Sequence, residues 1–221
     1  MHRFPWKRKR VALAALPATA MLVMAGIAAA SGPIQTTSEM EPEAGAASGP
    51  TRITLKATRH VMAHRAVTFR GHVSPASSRR VVVQVGGRRV RAYSNDHGAF
   101  KARWRAPRAG VYRARAAVAD SPVRSHRVQV NAYRPAAASY YGPGLYGGGL
   151  ACGGTLRPGT IGVANKSLPC GTHLTLRYGH RTVRVQVIDR GPYAGNREFD
   201  LTAATKARLG FPSTGTVLST R

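Results

Sequence analysis

The sequence predicts a mainly β protein made of two unlike β domains, and three observations carry that expectation. Between residues 51 and 131, apolar and polar residues alternate in short runs broken by turn signals about every ten residues. Beyond residue 139, a glycine-rich segment precedes two further alternating runs, "HLTLRY" and "RTVRVQVID". One stretch, "DLTAATKARLG", has the look of a helix.

Ahead of both domains, residues 1–30 place Lys7, Arg8, Lys9 and Arg10 before an apolar run that ends in Ala28-Ala29-Ala30. This is the pattern of a secretory signal peptide cleaved after Ala30. The alternative is an uncleaved membrane anchor, since Val11 to Ala30 is just long enough to span a bilayer. The Ala-rich, weakly hydrophobic composition favours cleavage. Both readings place the rest of the chain in the cell envelope or outside the cell. A lipoprotein would need a Cys at the cleavage site, and the only cysteines are Cys152 and Cys170. In an exported chain these two are expected to form a disulfide, worth about 3 kcal/mol in the loop-entropy model. Two distant sulfurs are too few for a metal site, and neither metal nor cofactor is expected. Residues 31–50, rich in Gly, Pro, Ser and Thr and without periodicity, read as a flexible linker.

Without residues 1–30 the chain keeps 29 basic and 8 acidic side chains, a balance that attracts polyanions. Arginine supplies 28 of the 34 basic residues of the whole chain, and a GC-rich genome writes Arg by default, so abundance alone is no argument for guanidinium chemistry. There is no nucleic-acid motif and no interleaving of aromatics with the basic residues. The expected polyanions are anionic cell-wall polymers, with a membrane partner only if the signal stays uncleaved.

Residues 51–131 then supply strands in order. "TRITLKAT" sets Ile53 and Leu55 on one face, "RAVTFRGHV" sets Val67, Phe69 and Gly71, and "RRVVVQV" sets Val81, Val83 and Val85. "AFKARWRA", "VYRARAAVA" and "HRVQVN" follow, with turns at "SPASS", "VGG", "NDHG" and "PRAG". Six or seven short strands at this spacing describe a small immunoglobulin-like β-sandwich, its 18 basic residues pointing mostly outward. His60 and His64, four apart, would share a helix face, but "RHVMAHRAVTF" reads as strand and turn, so they are not taken as metal ligands. Residues 132–138 read as a short Pro/Ala connector. In the last 83 residues, Asp200 or Thr202 is the expected N-cap of the helix and Gly210 its C-cap, and "GTVLST" is a closing strand.

From Ser139 onward the motifs "YYGPG", "KSLPCGT", "IDRGPY" and "FDLT", in this order and spacing, resemble the double-psi β-barrel of the rare lipoprotein A family and, more distantly, the barrel of expansins. That resemblance implies a closed six-stranded barrel over 139–221, with the glycine-rich segment and the "DRGP" loop lining one groove. It also implies binding of peptidoglycan glycan strands and, in active members, lytic transglycosylase cleavage. There an acid protonates the glycosidic oxygen while the sugar's own 6-hydroxyl attacks the anomeric carbon. Such chemistry needs a carboxyl group that keeps its proton near neutral pH. The alternative is an expansin-like module that binds or loosens the wall without cleaving it.

Carried over residue by residue, the family's Asp falls on Asp189, its Glu on Gly154 and its His on Asn165. Asp189 is therefore the first catalytic candidate, with a turn acceptor as the plainer reading. Asp200, in "EFDLT", resembles the expansins' acid and is the second, with helix N-cap as its plainer reading. Glu198 reads as a surface residue near Arg197. Tyr140, Tyr141, Tyr146 and Tyr193 offer flat faces to sugar rings, with Tyr141 the one expected to fill the barrel mouth. Tyr141, Gly142, Tyr146, Asn165, Arg190, Gly191, Pro192 and Tyr193 are the expected substrate-binding residues, and a Cys152–Cys170 disulfide would pin one wall of the groove.

Overall fold

The computed structural model describes residues 49–221. The leader expected over residues 1–30, and the expected linker as far as residue 48, lie outside the described residues. No helix among the described residues is long and apolar enough to cross a membrane.

Alternation is realised first as two packed sheets. β1 (Arg52–Ile53) and β2 (Lys56–Ala57) line one edge of β4 (Ala66–Ser74), whose other edge pairs with β7 (Ala99–Arg105). The second sheet runs β6 (Arg88–Tyr93), β5 (Arg80–Val85), β8 (Gly110–Val118), β9 (Val128–Tyr141) and β3 (His60–Met62). Val67, Phe69, Phe100 and Trp104 from the first sheet meet Val81, Val83, Ala116 and Val130 from the second in one buried core. Every second residue of these strands is apolar, so each sheet has one face to bury and packs it on the other.

The second half of β9 enters a closed barrel. Its ring order is β9, β13 (Phe199–Thr202), β10 (Val163–Asn165), β12 (Arg181–Asp189), β11 (His173–Tyr178) and β14 (Gly215–Ser219), which returns to β9. β9 with β13 and β10 with β12 are parallel, and the other pairs are antiparallel. Closure removes free sheet edges and encloses a second core that includes Val163, Leu174, Val187, Phe199 and Leu201. Among the described residues the expected six-stranded barrel and single short helix are both present.

Two expectations are corrected. Residues 132–138 are no connector but the middle of the 14-residue strand β9, which spans about 46 Å and belongs to both cores. Pro and Ala are poor strand formers on their own, but here Ala136 and Ala138 are buried and Leu218, Val217 and Gly215 of β14 pair alongside. Pro135, which has no N–H to give, sits opposite Leu218 before β13 joins β9 at Ala138.

The second correction concerns the helix α1 (Ala203–Leu209). Of the two N-cap candidates, Thr202 is the cap and accepts from the Thr205 backbone N–H, while Asp200 lies inside β13. Gly210 closes the helix in the left-handed conformation, as expected.

Candidate functional site

The two candidate acids come together at the barrel mouth because of strand register. Ala164 of β10 is the Cα partner of Asp189 on β12 and of Asp200 on β13, and Asp200 is in turn the partner of Ser139 on β9. Asp189 and Asp200 thus flank the small Ala164 side chain on one rung, with their Cα atoms about 9.5 Å apart by strand spacing. The register between β10 and β12 slips by one residue after Val163, so that Ile188 is the extra residue of a bulge. That bulge brings Asp189 level with Ala164, and the Ile188 carbonyl accepts the Cys152 N–H instead of completing a ladder.

Asp189 Oδ1 accepts the backbone N–H groups of Ala151 and Arg190, each at 2.9 Å. It therefore does what a turn acceptor does, but one of its donors lies in the glycine-rich segment. The Cys152–Cys170 disulfide next to that donor is formed. Asp200 accepts from the Ser139 hydroxyl at 2.8 Å. Burial holds the Asp200 carboxyl above its ordinary value; the Ser139 bond and the Arg197 charge oppose this, and the Asp189 charge adds to it. Tyr141 reaches the same place from β9. Its hydroxyl is enclosed without a hydrogen bond of ordinary geometry, and burial, then the charge and close approach of Asp189 and the charge of Asp200, drive its pKa well up.

These groups line a cleft of about 270 Å³ with Leu145, Gly191, Pro192, Tyr193 and Arg197. Tyr193 is 80% exposed and forms the rim. The cleft thus has a flat aromatic edge, two carboxyl groups, two arginines and an enclosed phenol, the mixture by which a polar ring compound is oriented.

Of the other expected binding residues Arg190 borders the cleft, and Gly142, Tyr146 and Asn165 are placed outside it. Asn165 is 3% exposed and fully engaged: its amide donates to the Glu198 carbonyl and its Oδ1 accepts the N–H groups of Ser167 and Leu168. Arg190 turns its guanidinium away from open solvent, onto the carbonyls of Asn165 and Leu168 and against Cys170 Sγ, although it also borders the cleft. Gly142 is buried, and a Cβ there would meet Ala203 Cβ at 2.8 Å, so close packing on the helix requires the glycine. Tyr146 and Tyr140 are partly exposed outside the cleft lining, Tyr140 beneath the Lys206 ammonium at 4.2 Å. Glu198 pairs through both oxygens with Arg134 of β9 rather than with Arg197. Gly154, the position of the family's Glu, has a left-handed φ of 83° and open space where a side chain would project.

Sequence reasoning missed Ala164, Ser139, Leu145 and Arg197 as parts of this site. Ala164 and Ser139 matter through register alone, and no local pattern marks either.

Residues 136–218 match the family described as lytic transglycolase. Among curated proteins, the chain is 38% identical over 81 residues to the probable endolytic peptidoglycan transglycosylase RlpA of Synechocystis sp., covering 35% of this chain and 25% of that protein. It is 37% identical to the endolytic peptidoglycan transglycosylase RlpA of Campylobacter jejuni, covering 36% and 30%, and 35% identical to that of Pseudomonas aeruginosa, covering 36% and 24%. The matched segment spans about a quarter to a third of these relatives. Among solved structures, the Streptomyces papain inhibitor (SPI) aligns with a TM-score of 0.32 and 23% identity, over 39% of this chain and 91% of that one. The C-terminal barrel is thus RlpA-like in sequence and is closed by six strands.

Proposed function

We propose that the barrel cleft binds a peptidoglycan glycan strand and cleaves it as a lytic transglycosylase, with Asp200 as the acid and Asp189 as its carboxylate partner. The carrying observation is the rung Asp189, Ala164, Asp200, on which burial keeps one carboxyl protonated to higher pH while two backbone N–H groups hold the other. Two acids in contrasting surroundings are what division of acid and base roles requires. In this reading the Asp200 carboxyl gives its proton to the glycosidic oxygen as the bond to the anomeric carbon breaks. The sugar's 6-hydroxyl closes on that carbon and yields its proton to Asp189. No water enters, and the product is a 1,6-anhydro sugar. Tyr193 would stack on a pyranose ring, and Arg197 and the Tyr141 hydroxyl would bind its polar edge.

The test is to incubate the purified protein with isolated glycan strands and seek 1,6-anhydro products. They should appear with the native chain and fall by about a hundredfold or more in Asp200→Asn and in Asp189→Asn, the range of a lost acid or base. Absence of products from the native chain would overturn cleavage.

A second reading, an expansin-like module that binds without cleaving, is favoured by Gly154 and Asn165, which stand where the family has its Glu and His. Retention on insoluble wall material without products would select it. In either case we take residues 51–131 as an immunoglobulin-like module, and the protein as an exported one that its basic face holds to anionic polymers of the envelope.

A further inference from the structure

The outward face of the β6, β5, β8 and β9 sheet carries an arrangement that the cleft does not use. On β6, Arg89 and Arg91 point outward; on β8, Arg113 and Arg115 do. Register sets Arg89 and Arg115 on either side of Gln84 on one rung, and Arg113 opposite Gln129 of β9. Successive outward arginines on one strand are about 6.7 Å apart, and β6 and β8 lie about 9.5 Å apart.

Three shallow depressions follow one another across this face through shared residues. The first holds Arg80, Arg89 and Arg91; the second shares Arg89 and adds Arg115 and Arg113; the third shares Arg113 and reaches Arg184 of the barrel strand β12. The third is a cleft of about 340 Å³, and among the described residues no carboxylate side chain lines any of the three. Among the described residues the one ion pair on this face is Arg80 with Asp120 at 3.4 Å, at its far edge and largely exposed. Like charges this close in a sheet repel unless something anionic lies on them.

We propose that this arginine track, from Arg91 through Arg89, Arg115 and Arg113 to Arg184, is the docking surface for a linear phosphodiester polymer of the cell wall. Charge complementarity and spacing carry the choice: regularly placed guanidinium forks bind phosphate oxygens in pairs, and a track continuing from the sandwich onto the barrel fits an extended chain better than a compact anion. Among the described residues no aromatic lines the middle depression, where Gln84 lies between Arg89 and Arg115, and the base-stacking platform that a nucleic-acid strand would need is reduced to Tyr93 beside Arg91 and Tyr112 beyond Arg113. The choice of a wall polymer rests on the peptidoglycan reading of the barrel; the track itself does not.

The opposite sheet face supplies a matched control, since Arg70, Lys101 and Arg103 are equally exposed there. The experiment compares binding of the full chain to purified polyol-phosphate wall polymer for the native protein, for Arg89→Ser/Arg113→Ser/Arg115→Ser and for Arg70→Ser/Lys101→Ser/Arg103→Ser. Both triple variants remove three charges. The track variant should bind about tenfold or more weakly with a shallower salt dependence, and the control should stay within about twofold of native. The three single substitutions, each expected to weaken binding in part, serve if the triple variant fails to fold. Equal losses in both variants would reduce the effect to net charge and overturn the track. Binding of single-stranded DNA more tightly than polyol phosphate at equal charge would overturn the wall polymer as occupant. Formation of 1,6-anhydro products from glycan strands stripped of phosphate polymer, measured in parallel, reports on the barrel cleft alone, so either reading can fail without the other.

Discussion

Tyr141 and Asp200 are two residues at which the proposed part in glycan binding and stability pull apart. Among the described residues the Tyr141 hydroxyl is enclosed with no hydrogen bond of ordinary geometry, only a poorly aligned approach to the Asp189 carboxylate, which costs up to about 1–3 kcal/mol relative to a group that needs none. Tyr141→Phe is therefore expected to raise the melting temperature of the free protein while weakening its retention on glycan strands; a drop in melting temperature would mean that the hydroxyl has a partner in solution. Asp200 behaves alike for a different reason. Its carboxyl titrates above the ordinary 3.8, so the folded chain holds a proton that the unfolded chain has already released. Stability from this group is greatest below pH 3.8 and falls as pH rises through the raised value. Asp200→Asn should remove that slope and melt higher than the native protein at pH 7, as thermal melts across a pH series would show.

At the scale of elements, two tethers fix the cleft. The disulfide joins the glycine-rich segment to the loop before β11, and its neighbour Ala151 gives Asp189 a hydrogen bond. Reduction, or Cys152→Ser with Cys170→Ser, should cost about 3 kcal/mol by loop entropy and speed hydrogen exchange at the Ala151 amide. The other tether is Thr205 on α1, whose hydroxyl donates to the Gly162 carbonyl and accepts the Gly162 N–H and the Thr202 hydroxyl. Gly162 leads into β10 and hence to Ala164. Thr205→Val keeps the shape and strands these groups, so a loss of about 1–3 kcal/mol in denaturant melts is expected. The rung was not legible in the sequence because the bulge at Ile188 breaks the period of two on which face assignments rest. The helix caps were legible because Thr202 and Gly210 act on backbone groups within a few residues.

For the whole molecule, β9 is the feature with the widest consequence. Its first half pairs with β8 and β3 and its second with β14 and β13, so neither core can lose β9 alone. The sandwich and the barrel are expected to unfold in one transition. Phe199→Ala empties a fully buried site in the barrel and should cost about 3–5 kcal/mol. If β9 couples the cores, that substitution also lowers the midpoint followed by fluorescence of Trp104, which lies in the sandwich. An unchanged Trp104 midpoint would show two independent units. His60 adds a pH term. It bonds the buried Tyr133 hydroxyl, and burial, with the charges of Arg177 and Arg59, lowers its pKa from 6.5. Stability from this group is present above pH 6.5 and is lost as pH falls through the lowered value.

Legible along the chain were its β-rich character, the C-terminal barrel with one capped helix, the pairing of Cys152 with Cys170, and Asp189 and Asp200 as the acids to examine. Periodicity and capping, which are local, account for the strands and the helix; the pairing was expected of an exported chain with two cysteines, and the barrel and the two acids were implied by the resemblance of its motifs to the rare lipoprotein A family and expansins. Long-range pairing was needed to show that residues 132–138 are strand rather than connector, that Asn165 and Arg190 hold the loops together, and that Ala164 sets the two acids on one rung. Pairing partners far along the chain decide such matters, because a strand's neighbours and the register between them are fixed by closure of the barrel and not by the residues on either side.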